Sequence, residues 1–89
     1  MIIYMNIIPA RKFNINDEII IINNPCKIVI INNIIIGIMI GMRGKIVELR
    51  GKDFYDVEFK VKNTKFRSEI KEESMNFYKF MNCPEYLYE

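Results

Sequence analysis

Basic and aromatic side chains come together in one short stretch of the sequence, and they are its best candidates for chemistry. Arg43, Lys45, Arg50 and Lys52 lead into Phe54. Cations that neutralise phosphates, beside a ring that can stack on bases, are what a nucleic-acid surface requires. Acidic residues are interspersed, however, and the net charge of the chain is only +2, too small to indicate nucleic acid by itself. Nucleic-acid binding through this stretch is therefore an alternative hypothesis.

Side chains that could support catalysis or hold a metal are scarce. The chain contains no His, so it has no imidazole base, no Ser–His or Cys–His pair and no His-containing metal site. Cys26 and Cys83 are far apart and form no Cys-x-x-Cys motif, which argues against structural zinc. Asp17 and Glu18 are adjacent, and neighbouring strand residues face opposite ways. The sequence therefore predicts no catalytic residues, no metal site and no cofactor.

The long apolar segment between Lys27 and Arg43 offers a different kind of site. It is rich in isoleucine and also holds Val29 and Met39, more apolar side chains than a small domain is expected to bury by itself. Excess apolar surface of this kind indicates a protein contact or an edge for self-association. The alternative is that the segment folds back as a hairpin on the domain. Its candidate contact residues are Ile34, Ile35, Ile36, Ile38 and Met39.

The C-terminal residues provide a second candidate contact. Tyr86, Leu87 and Tyr88 lie between Glu85 and Glu89, and tyrosine is favoured in protein interfaces. The alternative is that this acidic, aromatic tail covers the domain itself. A protein partner is the first hypothesis, with homo-oligomerisation through the apolar segment as one form of it.

These side chains must be positioned by a single small β domain. The 89 residues leave room for one core, so the whole chain, 1–89, is predicted to be one domain. It holds 19 Ile but only 2 Leu and 1 Ala, and β-branched side chains favour strands. The longest uncharged run, Ile28–Met42, is shorter than the about 20 residues of a membrane helix. No signal-peptide pattern is present, and a cytoplasmic location is expected.

Strict alternation of apolar and charged residues identifies the strands of two hairpins. In Tyr55–Lys62, apolar and charged residues alternate throughout, which predicts an antiparallel strand with one buried face. A turn at Asn63-Thr64 leads into Lys65–Ile70, and Lys45–Leu49 precedes the first strand across a turn at residues 50–53. Two consecutive hairpins are therefore predicted. Further strands are expected from apolar runs bounded by Pro or by Asn pairs, namely Ile2–Ile8, Ile19–Ile22, Lys27–Ile31 and Ile34–Ile40.

The pattern changes after Ile70. Ile70, Ser74, Phe77 and Met81 recur at helical spacing, which predicts a short helix over residues 71–81. A single 3₁₀ turn would also fit this stretch. The helix and the tail together make up residues 71–89.

The glycine spacing gives the chain a resemblance to a known fold. The run from Gly41 through Gly44 into Lys-Ile-Val-Glu-Leu, then a turn and Tyr-Asp-Val-Glu-Phe59, resembles the KOW-type, SH3-like small barrels of bacteria and their phages. The resemblance implies an all-β, mainly antiparallel barrel core over about residues 13–75, with an added N-terminal strand and C-terminal helix. It places Gly41 and Gly44 at a barrel corner and Gly51 at a φ > 0 position of the hairpin turn.

The sequence as a whole predicts a non-catalytic binding protein that associates stoichiometrically with a protein partner. Its size and its bias toward Ile and Asn, residues of AT-rich codons, are typical of phage or mobile-element products. The first hypothesis is thus an inhibitor of a host enzyme or defence complex. The alternatives are a KOW-like RNA- or DNA-binding module and a small structural subunit of a larger assembly.

Overall fold

A computed structural model describes residues 11–78 of the protein. The predicted strand Ile2–Ile8 and the tail residues Tyr86, Leu87 and Tyr88 lie outside this range. The described residues form strands joined by short turns. These are β1 (Glu18–Ile21), β2 (Ile28–Ile31), β3 (Ile34–Gly37), β4 (Arg43–Leu49), β5 (Phe54–Val61), β6 (Thr64–Lys71) and β7 (Met75–Phe77), with a 3₁₀ turn at Glu72–Ser74 before β7.

The strands make two antiparallel sheets. Five strands pair in the order β6-β5-β4-β1-β7, and β2 and β3 pair with each other as a separate hairpin. The mainly antiparallel all-β prediction is therefore confirmed. Within residues 11–78 the outer strands β6 and β7 are not paired with each other, so the sheet does not close into a barrel there.

The core lies on one face of the large sheet. Tyr55, Val57 and Phe59 are at most 1% exposed, as their alternation predicts. The hairpin of β2 and β3 covers part of this core with its own apolar side chains. Burial of these strands' apolar faces supplies the main driving force for folding. The other buried apolar residues are Phe13, Ile19, Ile21, Ile38, Ile46, Phe66, Ile70 and Met75.

The predicted C-terminal helix is wrong over residues 71–77. The alternative, a single 3₁₀ turn, is confirmed at Glu72–Ser74, and the chain then enters β7, which pairs with β1. Ser74 and Met75 are both buried, so the apolar spacing reflects a turn followed by an edge strand. A strand that completes a sheet gains inter-strand hydrogen bonds, and this non-local gain outweighs the helical period of a short segment.

Most of the positive backbone φ angles belong to asparagine or glycine, and Cys26 and Lys62 also have them. Asn32 and Asn33 have φ of 51° and 67° and form the tight turn between β2 and β3, which confirms that Asn pair as a turn. Gly41 has φ of 97°. Gly51 does not have a positive φ, so its predicted role is wrong. The β5–β6 turn is at Lys62-Asn63, one residue earlier than predicted, with Lys62 at φ of 57°.

Candidate functional site

The hairpin of β2 and β3 has one covered face and one open face. Residues directly opposite each other in an antiparallel pair lie on the same side. Val29 is opposite Ile36, and both pack against the core. Ile30 is opposite Ile35, and these two side chains are 65% and 66% exposed. The hairpin therefore presents apolar side chains both to the core and to solvent.

Further exposed apolar side chains lie at the tip of the hairpin and after β3. Ile34 is opposite Ile31, which packs on the core, but Ile34 itself is exposed because it lies at the tip. We define the hairpin face as the six apolar residues of this segment whose side chains are 62–66% exposed, Ile28, Ile30, Ile34, Ile35, Met39 and Ile40. No charged residue occurs between Lys27 and Arg43. Exposed apolar side chains concentrated in one uncharged segment are typical of interaction sites.

The charged edge strand β6 provides an internal contrast. Its outer side chains include Lys65, Arg67, Glu69 and Lys71, all exposed. Charges on an edge strand discourage pairing with another chain. Within residues 11–78, β2 and β3 have no strand partner other than each other, yet they carry no charge. The hairpin thus lacks the protection that β6 has.

The predicted protein-contact residues within residues 11–78 divide into two groups. Ile34, Ile35 and Met39 belong to the hairpin face. Ile36 packs against the core, and Ile38 is itself a core residue at 2% exposure. Both were predicted to contact a partner, but their side chains are directed to the core instead. Ile28 and Ile30 on β2 and Ile40 after β3 are also exposed, although they were not among the predicted contact residues. Alternation along β2 could have identified Ile28 and Ile30, but nothing local singles out Ile40.

Arg50, one of the predicted phosphate-binding residues, is held by a carboxylate. Its Nε and Nη2 atoms donate hydrogen bonds of 2.9 Å and 2.6 Å to Oδ2 of Asp56, and Glu48 lies 3.5 Å away. The hydrogen bond and charge of Asp56 raise the pKa of Arg50. Asp56 was expected in solvent but is only 9% exposed. Arg50 therefore satisfies a buried carboxylate, while its side chain remains 48% exposed.

Lys52 and Phe54 are not part of a common surface with Arg43 and Lys45. Lys52 is exposed in the β4–β5 turn, and Phe54 is half-buried at the start of β5. Arg43 and Lys45 lie near the other end of β4, on its solvent side. The structure thus divides the predicted set into separate pieces.

Arg43 and Lys45 line a shallow, open cleft with side chains that the sequence analysis did not select. Arg43 donates a hydrogen bond to the hydroxyl of Tyr78, and its guanidinium carbon is 4.7 Å from the centre of that ring. Lys60 and Lys65 line the same cleft. The alternation of β5 and β6 already placed these lysines on the solvent face; only the pairing of β4 with β5 brings them beside Arg43.

A buried tyrosine ties the start of the described chain to its end. The Tyr55 hydroxyl donates a 2.6 Å hydrogen bond to Glu72 and accepts one of 3.3 Å from the backbone N–H of Phe13. Burial, reinforced by the Glu72 hydrogen bond, raises the pKa of Tyr55. Tyr55 is 0% exposed, so this cluster acts in stability rather than as a solvent-accessible reactive site.

The described residues contain neither a cluster of metal ligands nor a membrane-spanning helix, and the chain has no match among known proteins. Within residues 11–78, no cluster of His, Cys, Asp and Glu could hold a metal ion. No helix in that part of the chain could cross a membrane. The chain matches no family model, no curated protein and no solved structure.

Proposed function

We propose that the protein is a non-catalytic binding protein that associates stoichiometrically with a protein partner through the hairpin face. The observation that carries this proposal is the uncharged row of exposed isoleucines on a hairpin whose other side is already packed on the core. A hairpin placed in this way is held by the domain and cannot turn its open side inward without losing its packing.

Covering the hairpin face supplies a large part of the free energy that a complex needs. Complete burial of an isoleucine or methionine side chain is worth about 1.5–3 kcal/mol, so covering the exposed two-thirds contributes about 1–2 kcal/mol each. Six such side chains contribute about 6–12 kcal/mol, against an association cost of about 4–15 kcal/mol. The partner must therefore add contacts around the face.

The composition of the face indicates a lasting interface. It contains no Tyr, Trp or Arg, the residues that dominate small transient contacts. Permanent interfaces are more apolar and resemble a domain core. A second copy of the chain satisfies this chemistry as well as a different protein does, since two uncharged faces do not repel each other.

The proposal extends to the fold and to the biological setting. We propose that the sheet is the body of an SH3-like barrel, because β1 lies between β4 and β7 and a 3₁₀ turn leads into β7. In such a barrel, β1 and β4 would be the first two strands, and the β2–β3 hairpin would form the long loop between them. We further propose that binding blocks a host enzyme or defence complex in a cytoplasm reached by a phage or mobile element; the support for this is the small size and compositional bias of the chain.

Two variants test the hairpin face. Ile30→Lys with Ile35→Lys places two charges at the centre of the face, where the residues are directly opposite each other. Ile15→Lys is the matched control, because Ile15 is 51% exposed and lies outside the hairpin. A partner identified by pull-down and mass spectrometry is purified, and its binding is titrated by calorimetry.

We expect a stoichiometric complex with the wild type and with Ile15→Lys. Loss of the two isoleucines removes about 2–4 kcal/mol, a weakening of about 30- to 700-fold. Light scattering of the free protein at several concentrations shows whether the partner is a second copy. Equal affinity of both variants for the partner, or a wild type that forms no complex with itself or with another protein, would overturn the proposal. A wild type that aggregates when expressed alone but is soluble with neighbouring gene products would favour a structural subunit.

A further inference from the structure

The solvent side of β4, β5 and β6 carries three successive rows of charged residues, and one of them is uncompensated. Gly44 pairs with Phe59, so Arg43 and Lys60, the next residues outward, lie side by side. Lys60 pairs in turn with Lys65. We define the basic row as Arg43, Lys60 and Lys65. It runs across three strands without a carboxylate.

The neighbouring row alternates in sign. Glu18 of β1 pairs with Lys45, Lys45 with Glu58, and Glu58 with Arg67. Opposite charges that face each other across strands stabilise a sheet, and like charges that face each other destabilise it. This second row therefore has the arrangement expected of a solvated sheet face that serves only folding.

The third row is acidic, and one arginine compensates its central carboxylate. Glu48 pairs with Asp56 and Asp56 with Glu69. Arg50 reaches over from the end of β4 and binds the central carboxylate. The chain thus compensates like charges where they meet in this row, which makes the basic row an exception on the same face.

No ion pair within residues 11–78 involves the basic row; those that occur there belong to Arg50 and Lys71. Cations that face each other without an ion pair cost stability, and such a local exception is typical of a binding site. The row lines a cleft whose other side chains include Lys45, Glu18 and Glu58 of the neighbouring row and Tyr78, whose half-buried ring lies beside Arg43.

We propose that the basic row binds the phosphodiester backbone of single-stranded nucleic acid. Neighbouring strands are about 4.8 Å apart, so the three cations extend over about 10 Å, and their flexible side chains can follow two or three successive phosphates. Tyr78 supplies the aromatic ring on which a base can stack, the combination used by proteins that bind single strands. The site is separate from the hairpin face and does not depend on it.

The salt dependence of binding measures how many phosphates are contacted. Each phosphate neutralised on a single strand contributes about −0.7 to the slope of log K against log salt, so three contacts give a slope of about −2. Fluorescence anisotropy with a labelled oligothymidylate of about twelve nucleotides, between 50 and 300 mM NaCl (roughly the range over which such slopes are resolved), provides both the affinity and the slope.

The test variant is Lys60→Glu with Lys65→Glu. Its matched control is Lys52→Glu with Lys71→Glu, which changes the net charge equally but leaves the row intact. We expect at least a tenfold loss of affinity and a slope near zero for the test variant, and a loss below threefold with an unchanged slope for the control. An uncharged hairpin variant, Ile30→Asn with Ile35→Asn, should bind as the wild type does.

Several results would overturn the inference. Equal losses in the two charge-reversed variants would mean that net charge alone governs binding. A wild type without salt-dependent binding, or a duplex that competes better than the single strand, would remove the site or its ligand class. The melting temperature of Lys65→Glu is measured in parallel. It should rise, because this change places opposite charges across β5 and β6, and a fall would contradict the argument from uncompensated repulsion.

Discussion

Gly44 is the position where the sheet has least room for a side chain. A Cβ atom there would lie 2.6 Å from Cγ1 of Val57, 2.9 Å from the carbonyl oxygen of Glu58 and 3.0 Å from Cδ1 of Phe59. Val57 and Phe59 are buried in the core, and the oxygen belongs to the backbone of β5. Gly44→Ala therefore forces a shift of packed atoms rather than of a free side chain.

The expected loss is the difference between two opposing effects. Glycine within a strand costs about 0.5–1 kcal/mol relative to alanine, and the substitution recovers this. Overpacking a core costs about 1–3 kcal/mol. The middle of these ranges leaves a net destabilisation of about 1 kcal/mol, which lowers the melting temperature of a domain of this size by about 4–8 °C.

Thermal and urea unfolding followed by circular dichroism measure this change. Gly37→Ala and Gly51→Ala are matched controls, because a Cβ at either position meets nothing within 4 Å and neither has a left-handed φ. Both should be neutral or more stable by about 0.4–1 kcal/mol, since alanine restricts the unfolded chain. If Gly44→Ala proved as stable as Gly51→Ala, the close approach of β4 and β5 would be wrong.

Two further changes probe the polar contacts. Tyr55→Phe removes the hydrogen bond to Glu72 and should cost about 1–2 kcal/mol near neutral pH. Because the pKa of Tyr55 is raised above 10.0 in the folded state, the stabilisation by its protonated phenol is complete below pH 10.0 and is lost as pH rises through the folded pKa. The difference in urea midpoint between wild type and Tyr55→Phe should therefore narrow between about pH 8 and 11. A difference that stays constant with pH would contradict this. Asp56→Ala should lower the urea midpoint more than Glu48→Ala does. Asp56 is 2.6 Å from Arg50 and its side chain is 12% exposed, whereas Glu48 is 3.5 Å away and 50% exposed. Equal effects would mean that burial does not strengthen the ion pair of Arg50 with Asp56.

The sequence by itself determined the features that depend on local period and backbone preference. The alternation in Tyr55–Lys62 correctly predicted which side chains of β5 face the core, with Asp56 as the exception. The Asn32-Asn33 pair predicted a hairpin turn because asparagine tolerates left-handed angles. These properties involve neighbours along the chain, and a sequence pattern records them directly.

Tertiary structure decided the features that depend on which strands meet. Only the register of β4 with β5 and β6 brings Arg43 beside Lys60 and Lys65, and only the turn of the chain after β4 brings Arg50 to Asp56. The residues after Ile70 have a helical spacing but form β7, because pairing with β1 adds hydrogen bonds between segments that are distant in the sequence. The sequence identified some side chains of the two candidate sites, such as Ile35 and Arg43, but not the full sets or their grouping, because register and strand order are set by packing between distant segments.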